Sequence, residues 1–502
     1  MRGIPSLITD IRKKVFTEVA RMAYSGNGYE GAADLPFKIV PGDQPLHRES
    51  IFLERAIAGE RVRLAMGLSI RPVQTRSLMT EGMDAAAIAE QYYEPPLINI
   101  IPYACHACPA NRYWVTDVCQ NCLSASCQQV CPREAIKFVN GKSRIDPAKC
   151  IRCGKCAQAC AYHAIVHLER PCQAACGMDA IGSDENGRAT INQEKCVSCG
   201  QCLVSCPFGA IVDKGQIYQV VRSIMEGDKV IAIMAPAFAR QFGKDVTAAK
   251  LSSALRALGF ADVVEVAIGA DICAVEEAKD FLEKVPAKQP FMATSCCPAW
   301  HAMVHKLFPA QAKNISMTLT PMVYTARMVK REQPDARIVF VGPCAAKKLE
   351  AIREDIRSDV DFVLTFEELQ GMFEAKEVDF ESLEEDPKLK NAGTAAGRGF
   401  AVAGGVAQAV VDIIHAQHPD MEIKVANAEG LKDCRKLMTM AKTGKYNGFL
   451  LEGMACPGGC VAGAGTILPV DKAAKLVEKY SREAAAASPV ESAYSDRGES
   501  LE

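Results

Sequence analysis

Three short cysteine-bearing stretches could work on one object. Glu452-Gly-Met-Ala-Cys456-Pro-Gly-Gly-Cys460-Val-Ala-Gly-Ala-Gly465 carries two cysteines four apart. On a helical turn that spacing puts both sulfurs on one side, and the glycines let backbone come close to whatever they hold. Thr294-Ser-Cys296-Cys297-Pro-Ala-Trp300 and Gly342-Pro-Cys344-Ala-Ala-Lys347-Lys348 supply further thiols. Cys297, Cys344, Cys456 and Cys460 make four thiolates, the number that holds one [4Fe–4S] cube, and leave Cys296 spare. Lys347 is close enough in sequence to Cys344 to reach the same object, whereas Lys348 reads as a solvated side chain.

Sixteen of the 23 cysteines fall between Cys105 and Cys206, which marks a second chemistry. Cys119-x2-Cys122-x4-Cys127-x3-Cys131-Pro132 is followed by Cys150-x2-Cys153-x2-Cys156-x3-Cys160. The pair resembles a bacterial two-cluster ferredoxin, in which the fourth cysteine of each run ligates the other cluster. The resemblance implies one cube on Cys119, Cys122, Cys127 and Cys160 and another on Cys150, Cys153, Cys156 and Cys131. A second, lopsided unit has Cys172-x3-Cys176 and the complete run Cys196-x2-Cys199-x2-Cys202-x3-Cys206-Pro207. The same crossing rule implies a third cube on Cys196, Cys199, Cys202 and Cys176. Cys105, Cys108, Cys172 and Cys206 remain and could hold a fourth; a small zinc site on Cys105 and Cys108, or free thiols, are the alternatives. One cluster could simply staple a small fold, but a row of them leading towards a metal site reads better as an electron path.

The elements that must position these residues can be read in outline. A chain of 502 residues should hold two to four domains, at ~100 to 200 residues each. Residues 1–95 contain no cysteine and read as helices, Ser6 to Tyr24 and an amphipathic run Arg48 to Leu68, forming a packing or docking region. Pro95-Pro96 breaks that pattern, and ferredoxin-like α+β iron–sulfur units are expected over 96–168 and 169–228. From 229 to 469, apolar runs at 230–234, 263–266, 291–293, 338–341, 362–364 and 449–451 alternate with helical stretches at 247–258, 270–284, 298–307, 405–416 and 430–442. That alternation argues for an α/β domain of parallel sheets covered by helices, in two lobes. The cysteine motifs follow directly on apolar runs, where open α/β sheets place their ligands. Over 470–502 a helix from Asp471 to about Ala486 is expected, then a polar tail expected to be disordered.

The formal charge is −2, without long blocks of one sign, so no nucleic-acid or membrane footprint is expected. No apolar stretch reaches the ~18 residues of a spanning helix, and the first residues lack a secretory core, which points to the cytoplasm. So many cysteines in such a chain favour metal and catalysis over disulfides.

The motifs Thr294-Ser-Cys-Cys-Pro-Ala-Trp, Gly342-Pro-Cys-Ala-Ala-Lys-Lys and Glu452-Gly-Met-Ala-Cys-Pro-Gly-Gly-Cys, in that order, resemble the three signatures of the [FeFe]-hydrogenase catalytic domain, in a less-studied branch. The resemblance implies reversible proton reduction to H₂ at an H-cluster, a cube joined to a di-iron unit bearing CO, cyanide and an azadithiolate. It implies that Cys297, Cys344 and Cys456 hold the cube while Cys460 bridges to the di-iron unit. It further implies that Cys296 relays protons, that Glu277 and Ser316 continue the path, and that Lys347 binds a cyanide. Pro236, Phe400 and Met454 match pocket-lining positions, and each could equally be a packing residue. Asp280 and Lys284 stand where the family usually has glutamate and arginine. Ala237, Gly342 and Met322 stand where relatives have serine, methionine and glutamine, implying a shifted potential and gas access. The implied partners are a ferredoxin-like electron carrier and maturation proteins that insert the di-iron unit. Cys273 and Cys434 read as ordinary buried thiols. The rival readings are an H₂-sensing relative and an iron–sulfur assembly protein that never takes the di-iron unit.

Overall fold

The computed structural model describes residues 3–87, 95–389 and 393–501. The first helix, Leu7–Tyr24, starts at a capping box in which Ser6 and Thr9 exchange side-chain and backbone hydrogen bonds. It buries Val15, Phe16, Val19 and Ala20. Its partner is the helix Phe366–Ala375 of the C-terminal part, where Gly371 has no side chain to block Phe16. The second helix is shorter than expected, Ile51–Ala65, and it is not amphipathic. Ile57, Glu60, Arg61, Val62, Arg63 and Leu64 are all buried, because neighbours cover it on nearly every side. Arg61 donates to the carbonyl of Gly209 at 2.9 Å and Arg48 to that of Phe208 at 3.0 Å, so the region packs on the loop after Cys206. The expected boundary at residue 95 adjoins residues 88–94, which lie outside the described residues.

The cysteine-rich part is built from eight short strands: β1 (Ile98–Ile100), β2 (Arg112–Val115), β3 (Ile136–Val139), β4 (Lys142–Ile145), β5 (Ile165–Leu168), β6 (Ile181–Ser183), β7 (Ala189–Ile191) and β8 (Ile211–Asp213). They form four antiparallel pairs, β1 with β8, β2 with β5, β3 with β4 and β6 with β7. Pairs this short bury little apolar surface, and much of each small core consists of cysteines, such as Cys127 and Cys156 against Ile136 and Ile165.

The remainder holds two parallel sheets. β9 (Val230–Met234), β10 (Asp262–Glu265), β11 (Met292–Ala293), β12 (Arg337–Gly342), β13 (Phe362–Thr365), β14 (Lys424–Glu429) and β15 (Phe449–Met454) assemble in the orders β10-β9-β12-β13 and β11-β15-β14. Every strand anticipated from an apolar run is present. β14, Lys-Val-Ala-Asn-Ala-Glu, was not anticipated; it lies at a sheet edge, mostly unburied, and lacks an apolar signature. Its pairing with β15, Asn427 beside Glu452, supplies the missing order. Helices Pro321–Glu332 and Phe366–Ala375 are likewise additional.

The C-terminal segment is not a loose tail. The helix Val470–Arg482 sends the Tyr480 hydroxyl to Glu265 at 2.7 Å. Leu501 is buried, and Arg327 donates to its carbonyl at 2.8 Å. Its composition is polar, but one leucine and the backbone acceptors suffice to dock it between the helices Ala267–Lys284 and Pro321–Glu332.

Lys348 is the sharpest departure from expectation. It is 0% exposed and donates to Asp213 at 2.8 Å and Glu368 at 3.0 Å. Arg12 reaches Asp213 at 3.5 Å and Glu367 at 2.7 Å, so two cations and three carboxylates join three parts of the chain. Burial pushes the Asp213 carboxyl up, but Lys348 and Arg12 outweigh it and hold it at about 2. That contribution to stability is complete above the ordinary aspartate range and is lost as pH falls through about 2. Lys348→Ala leaves Asp213 and Glu368 buried without their common cation, at a cost of about 3–5 kcal/mol. Anaerobic thermal denaturation at neutral pH should show a clear drop in midpoint for this variant.

Candidate functional site

The chain turns that bear the three motifs lie at the carboxyl ends of parallel strands: Thr294 after β11, Pro343 after β12, Ala455 after β15 and Ala235 after β9. They enclose a cavity of about 90 Å³ lined by Cys296, Cys297, Cys344, Cys456, Cys460 and Lys347. Pro236, Ala237, Met322, Phe400 and Met454 complete an otherwise apolar wall. All the sequence-derived cavity residues therefore converge, while Gly342 is not among those lining the cavity. Cys273 and Cys434 are fully buried elsewhere, and Cys434 donates weakly to the carbonyls of Ala428 and Met454.

The Cys456–Cys460 spacing does not work through a helical turn. Gly458 and Gly459 have φ of +99° and +88°, so the segment is a left-handed glycine loop, and a 3₁₀ turn begins only at Cys460. A side chain at Gly463 would stand 2.4 Å from the carbonyl oxygen of Pro343, which explains how this loop lies directly on the turn bearing Cys344.

The donor set fits an iron–sulfur group. Backbone N–H groups of Ala455, Trp300 and Ala299 point at Cys297, and those of Lys347 and Ala346 at Cys344. Burial pushes the Cys344 thiol to about 11 and Cys460 to about 12, so their thiolates need a compensating positive charge, which a bound metal supplies. Among the described residues no three His, Cys, Asp or Glu side chains converge tightly enough for a single metal ion. A cube, whose thiolates sit on four separate irons, needs the wider spacing.

Lys347 donates to Thr320 Oγ1 at 3.0 Å and pairs with Glu350 at 2.6 Å. Burial opposes its charge, but Glu350 outweighs burial and holds it above its ordinary value. Glu277 does not line the cavity. It lies behind Cys296, fully buried, and accepts from the backbone N–H of Ser295 at 3.1 Å. Its other oxygen has no hydrogen-bond partner among the described residues. Burial pushes this carboxyl to about 8, against the Ser295 hydrogen bond. Ser316 Oγ donates to Thr318 Oγ1 at 2.9 Å, and Ser295 Oγ to the Thr318 carbonyl at 2.9 Å. The expected pair Glu277 and Ser316 is thus bridged by Ser295 and Thr318, two small polar residues with no distinguishing signal in the sequence. Asp280 is paired with Lys284 at 2.6 Å at the partly exposed end of the same helix.

Three further cysteine sets each line a cavity of their own: Cys131, Cys150, Cys153 and Cys156; Cys176, Cys196, Cys199 and Cys202; and Cys105, Cys108, Cys172 and Cys206. The last is the set found by elimination, and its convergence favours a cube over a two-cysteine zinc site. Cys119 and Cys127 both approach Ser143, with Cys160 in the same small core as Cys127.

Gln201, between Cys199 and Cys202, was not singled out from the sequence. Its Nε2 donates to Cys456 Sγ at 3.2 Å, linking the set at Cys176, Cys196, Cys199 and Cys202 to the central thiols. Gly200, at φ +77°, allows this approach, since a side chain there would meet Ala464 Cβ at 2.4 Å. Only the Cys-Gly-Gln-Cys order hinted at it.

Fold and site together define an iron–sulfur protein in which ferredoxin-type units lead to a thiol-lined cavity in an α/β domain. Residues 228–464 match the iron only hydrogenase large subunit, C-terminal domain, residues 189–212 a 4Fe-4S binding domain, and residues 112–161 a 4Fe-4S dicluster domain. The chain is 30% identical over 387 residues to iron hydrogenase 1 of Clostridium pasteurianum, covering 66% of this chain and 67% of that protein. It is 29% identical to the periplasmic [Fe] hydrogenase large subunit of Nitratidesulfovibrio vulgaris, covering 49% of this chain and 71% of that one. A probable cytosolic Fe-S cluster assembly factor of Drosophila ananassae is 26% identical, covering 50% of this chain and 64% of its own. The chain belongs to the [FeFe]-hydrogenase family and takes iron–sulfur cofactors. Among the described residues no helix is long and apolar enough to cross a membrane.

Two outcomes follow from this geometry. Gln201→Leu removes a hydrogen bond to a sulfur and should make a cube harder to reduce, a negative shift visible in an anaerobic redox titration followed by electron paramagnetic resonance. Glu277 should be a neutral acid at pH 7. Its protonated carboxyl band in an infrared difference spectrum is expected to vanish as pH rises through about 8 and to be absent throughout in Glu277→Gln.

Proposed function

We propose that the protein catalyses 2H⁺ + 2e⁻ ⇌ H₂ at an H-cluster held by Cys297, Cys344, Cys456 and Cys460. The observation that carries this reading is the convergence of those four thiols, the spare Cys296 and the Lys347 ammonium on one apolar cavity. When bound, the H-cluster supplies the redox-active metal at which protons and electrons combine.

This chain's own residues have distinct tasks. Pro236, Phe400 and Met454 exclude water and offer no competing donor. Lys347, braced by Thr320 and Glu350, presents a cation to an anionic ligand such as cyanide, a charge-assisted contact. Cys296 holds a proton at Sγ on the cavity wall. Behind it the Glu277 carboxyl replaces that proton, held by the Ser295 N–H; beyond lie the paired hydroxyls of Ser316 and Thr318, which Ser295 reaches through the Thr318 carbonyl. Electrons reach the cavity through the accessory cubes, with the set around Cys199 last in line beside Cys456. The domain limits are 229–469 for the catalytic part and 96–168 and 169–228 for the two ferredoxin-like units. A ferredoxin-like carrier in the cytoplasm and maturation proteins complete the system.

The test is an infrared spectrum of protein made anaerobically with the maturation proteins. Iron-bound CO and cyanide bands that change under H₂ are expected; their absence, when a control hydrogenase matures in the same cells, leaves an iron–sulfur protein without the di-iron unit. In the matured protein Cys296→Ala should lower H₂ evolution from a reduced dye by about 10²–10⁴-fold, the usual worth of a general acid. Iron content should not change. Near-normal turnover in that variant removes Cys296 from the proton path.

A further inference from the structure

The chain-wide charge of −2 conceals a strongly basic module. Between residues 112 and 161, Arg112, Arg133, Lys137, Lys142, Arg144, Lys149, Arg152 and Lys155 face only Asp117, Glu134 and Asp146, an excess of five positive charges on fifty residues. Every one of these eight cations is exposed except Lys142, which is half-buried. Of the eight, Lys142 alone has an ion-pair partner among the described residues, in Asp117.

The β3–β4 hairpin makes the arrangement costly to the folded state. Lys137 stands directly opposite Arg144 in the register, both exposed, and like charges so placed repel. Among the described residues no carboxylate pairs with either side chain. Next to the cations the cysteine loops open to solvent. Cys153 is exposed, and Val118, Leu123 and Ile151, each beside a cysteine, project into water, Leu123 completely. Exposed apolar residues beside the cysteines, in a module that also carries unpaired cations, are the anatomy of a short-lived electron-transfer contact.

We propose that this module is the docking face for an acidic electron-carrier protein. The inference rests on the reading of these cysteines as cube ligands, and it adds which surface is used and what charge the partner carries. Long-range attraction gathers the carrier, and the exposed apolar residues seat it with its centre close to Cys122 and Cys153. A one-electron step follows in which the carrier's reduced centre is oxidised and the nearest cube is reduced; no bond is made or broken.

The experiment uses the full chain carrying its cubes but no di-iron unit, so it does not depend on H₂ turnover. Stopped-flow bleaching of the cubes is followed after mixing with a dithionite-free, reduced acidic [4Fe–4S] ferredoxin at rising ionic strength, and separately after mixing with dithionite alone. The expected result is a second-order rate with ferredoxin that falls at least tenfold from low to high salt, since screening shortens the reach of such charges to ~3 Å at 1 M. In Lys137→Glu with Arg144→Glu the low-salt rate should drop about tenfold, with dithionite bleaching unchanged. A ferredoxin rate indifferent to salt in the unaltered protein overturns the proposal, as does a charge-reversed protein reduced as fast as the original. Tight binding of nucleic acid by the module with no effect of salt on ferredoxin reduction overturns it too. Cubes that fail to bleach even with dithionite would instead count against the cluster reading itself.

Discussion

Four thiols from three distant turns must meet in a space that excludes water, and most of the architecture answers to that demand. A buried thiolate is expensive without a compensating charge, as the upward push on Cys344 and Cys460 shows. The chain therefore collects backbone N–H groups in the first turns of the helices that follow the parallel strands, where they already point in one direction: Ala299 and Trp300 at Cys297, Ala346 and Lys347 at Cys344. β11, β12 and β15 each end one or a few residues before a cysteine, so the sheets aim the ligands without long loops. The glycines of the Cys456–Cys460 loop serve the same end, since any side chain at Gly459 or Gly463 would push that loop off its neighbours.

The cysteine-rich part is under the opposite regime. Its two-stranded pairs have little apolar area, and cysteines take the core positions that aliphatic residues hold elsewhere. A fold of this kind depends on its clusters for cohesion. What separates the units is exposure: Cys153 is open to solvent, while Cys202 is buried and its neighbours Gly200 and Gln201 lie against the thiol-lined cavity.

What could be read from the sequence follows from this contrast. Ligand spacing is imposed by the geometry of a metal group, so the ferredoxin-like runs are legible from their intervals, whereas Cys105, Cys108, Cys172 and Cys206, spread over 102 residues of chain but lining one cavity, emerge only by elimination. Apolar strands buried on both faces were legible for a similar reason, because burial leaves few residue types. The edge strand Lys424–Glu429 escaped, being polar enough to pass for a loop. Ser295, Thr318 and Gln201 escaped because one hydroxyl or amide among many carries no periodic signal. Lys348 reads from the sequence as a solvated lysine, and only the arrival of Asp213 and Glu368 from elsewhere makes its burial tolerable. The polar C-terminal segment was misread in the same way, since a single leucine and a few backbone carbonyls anchor it.

Lys347 and Lys348 show how the two regimes are joined. Successive residues of one helix point about 100° apart, so Lys347 turns to the cavity and Lys348 to the interface with the accessory units. There it meets Asp213 at the end of β8, the strand that closes the cysteine-rich part, and Glu368 in the cap of the helix Phe366–Ala375, on which the first helix packs. Arg12 from that first helix completes the junction at Asp213 and Glu367. A buried ionic junction is weak evidence for net stability, because desolvation offsets much of the attraction. Its strength is directional: these charges are satisfied in only one mutual placement of N-terminal helix, accessory strand and catalytic helix. The same placement brings Gln201, two residues from Cys199, to within 3.2 Å of Cys456 Sγ, so residues remote from the thiols hold the accessory unit against them.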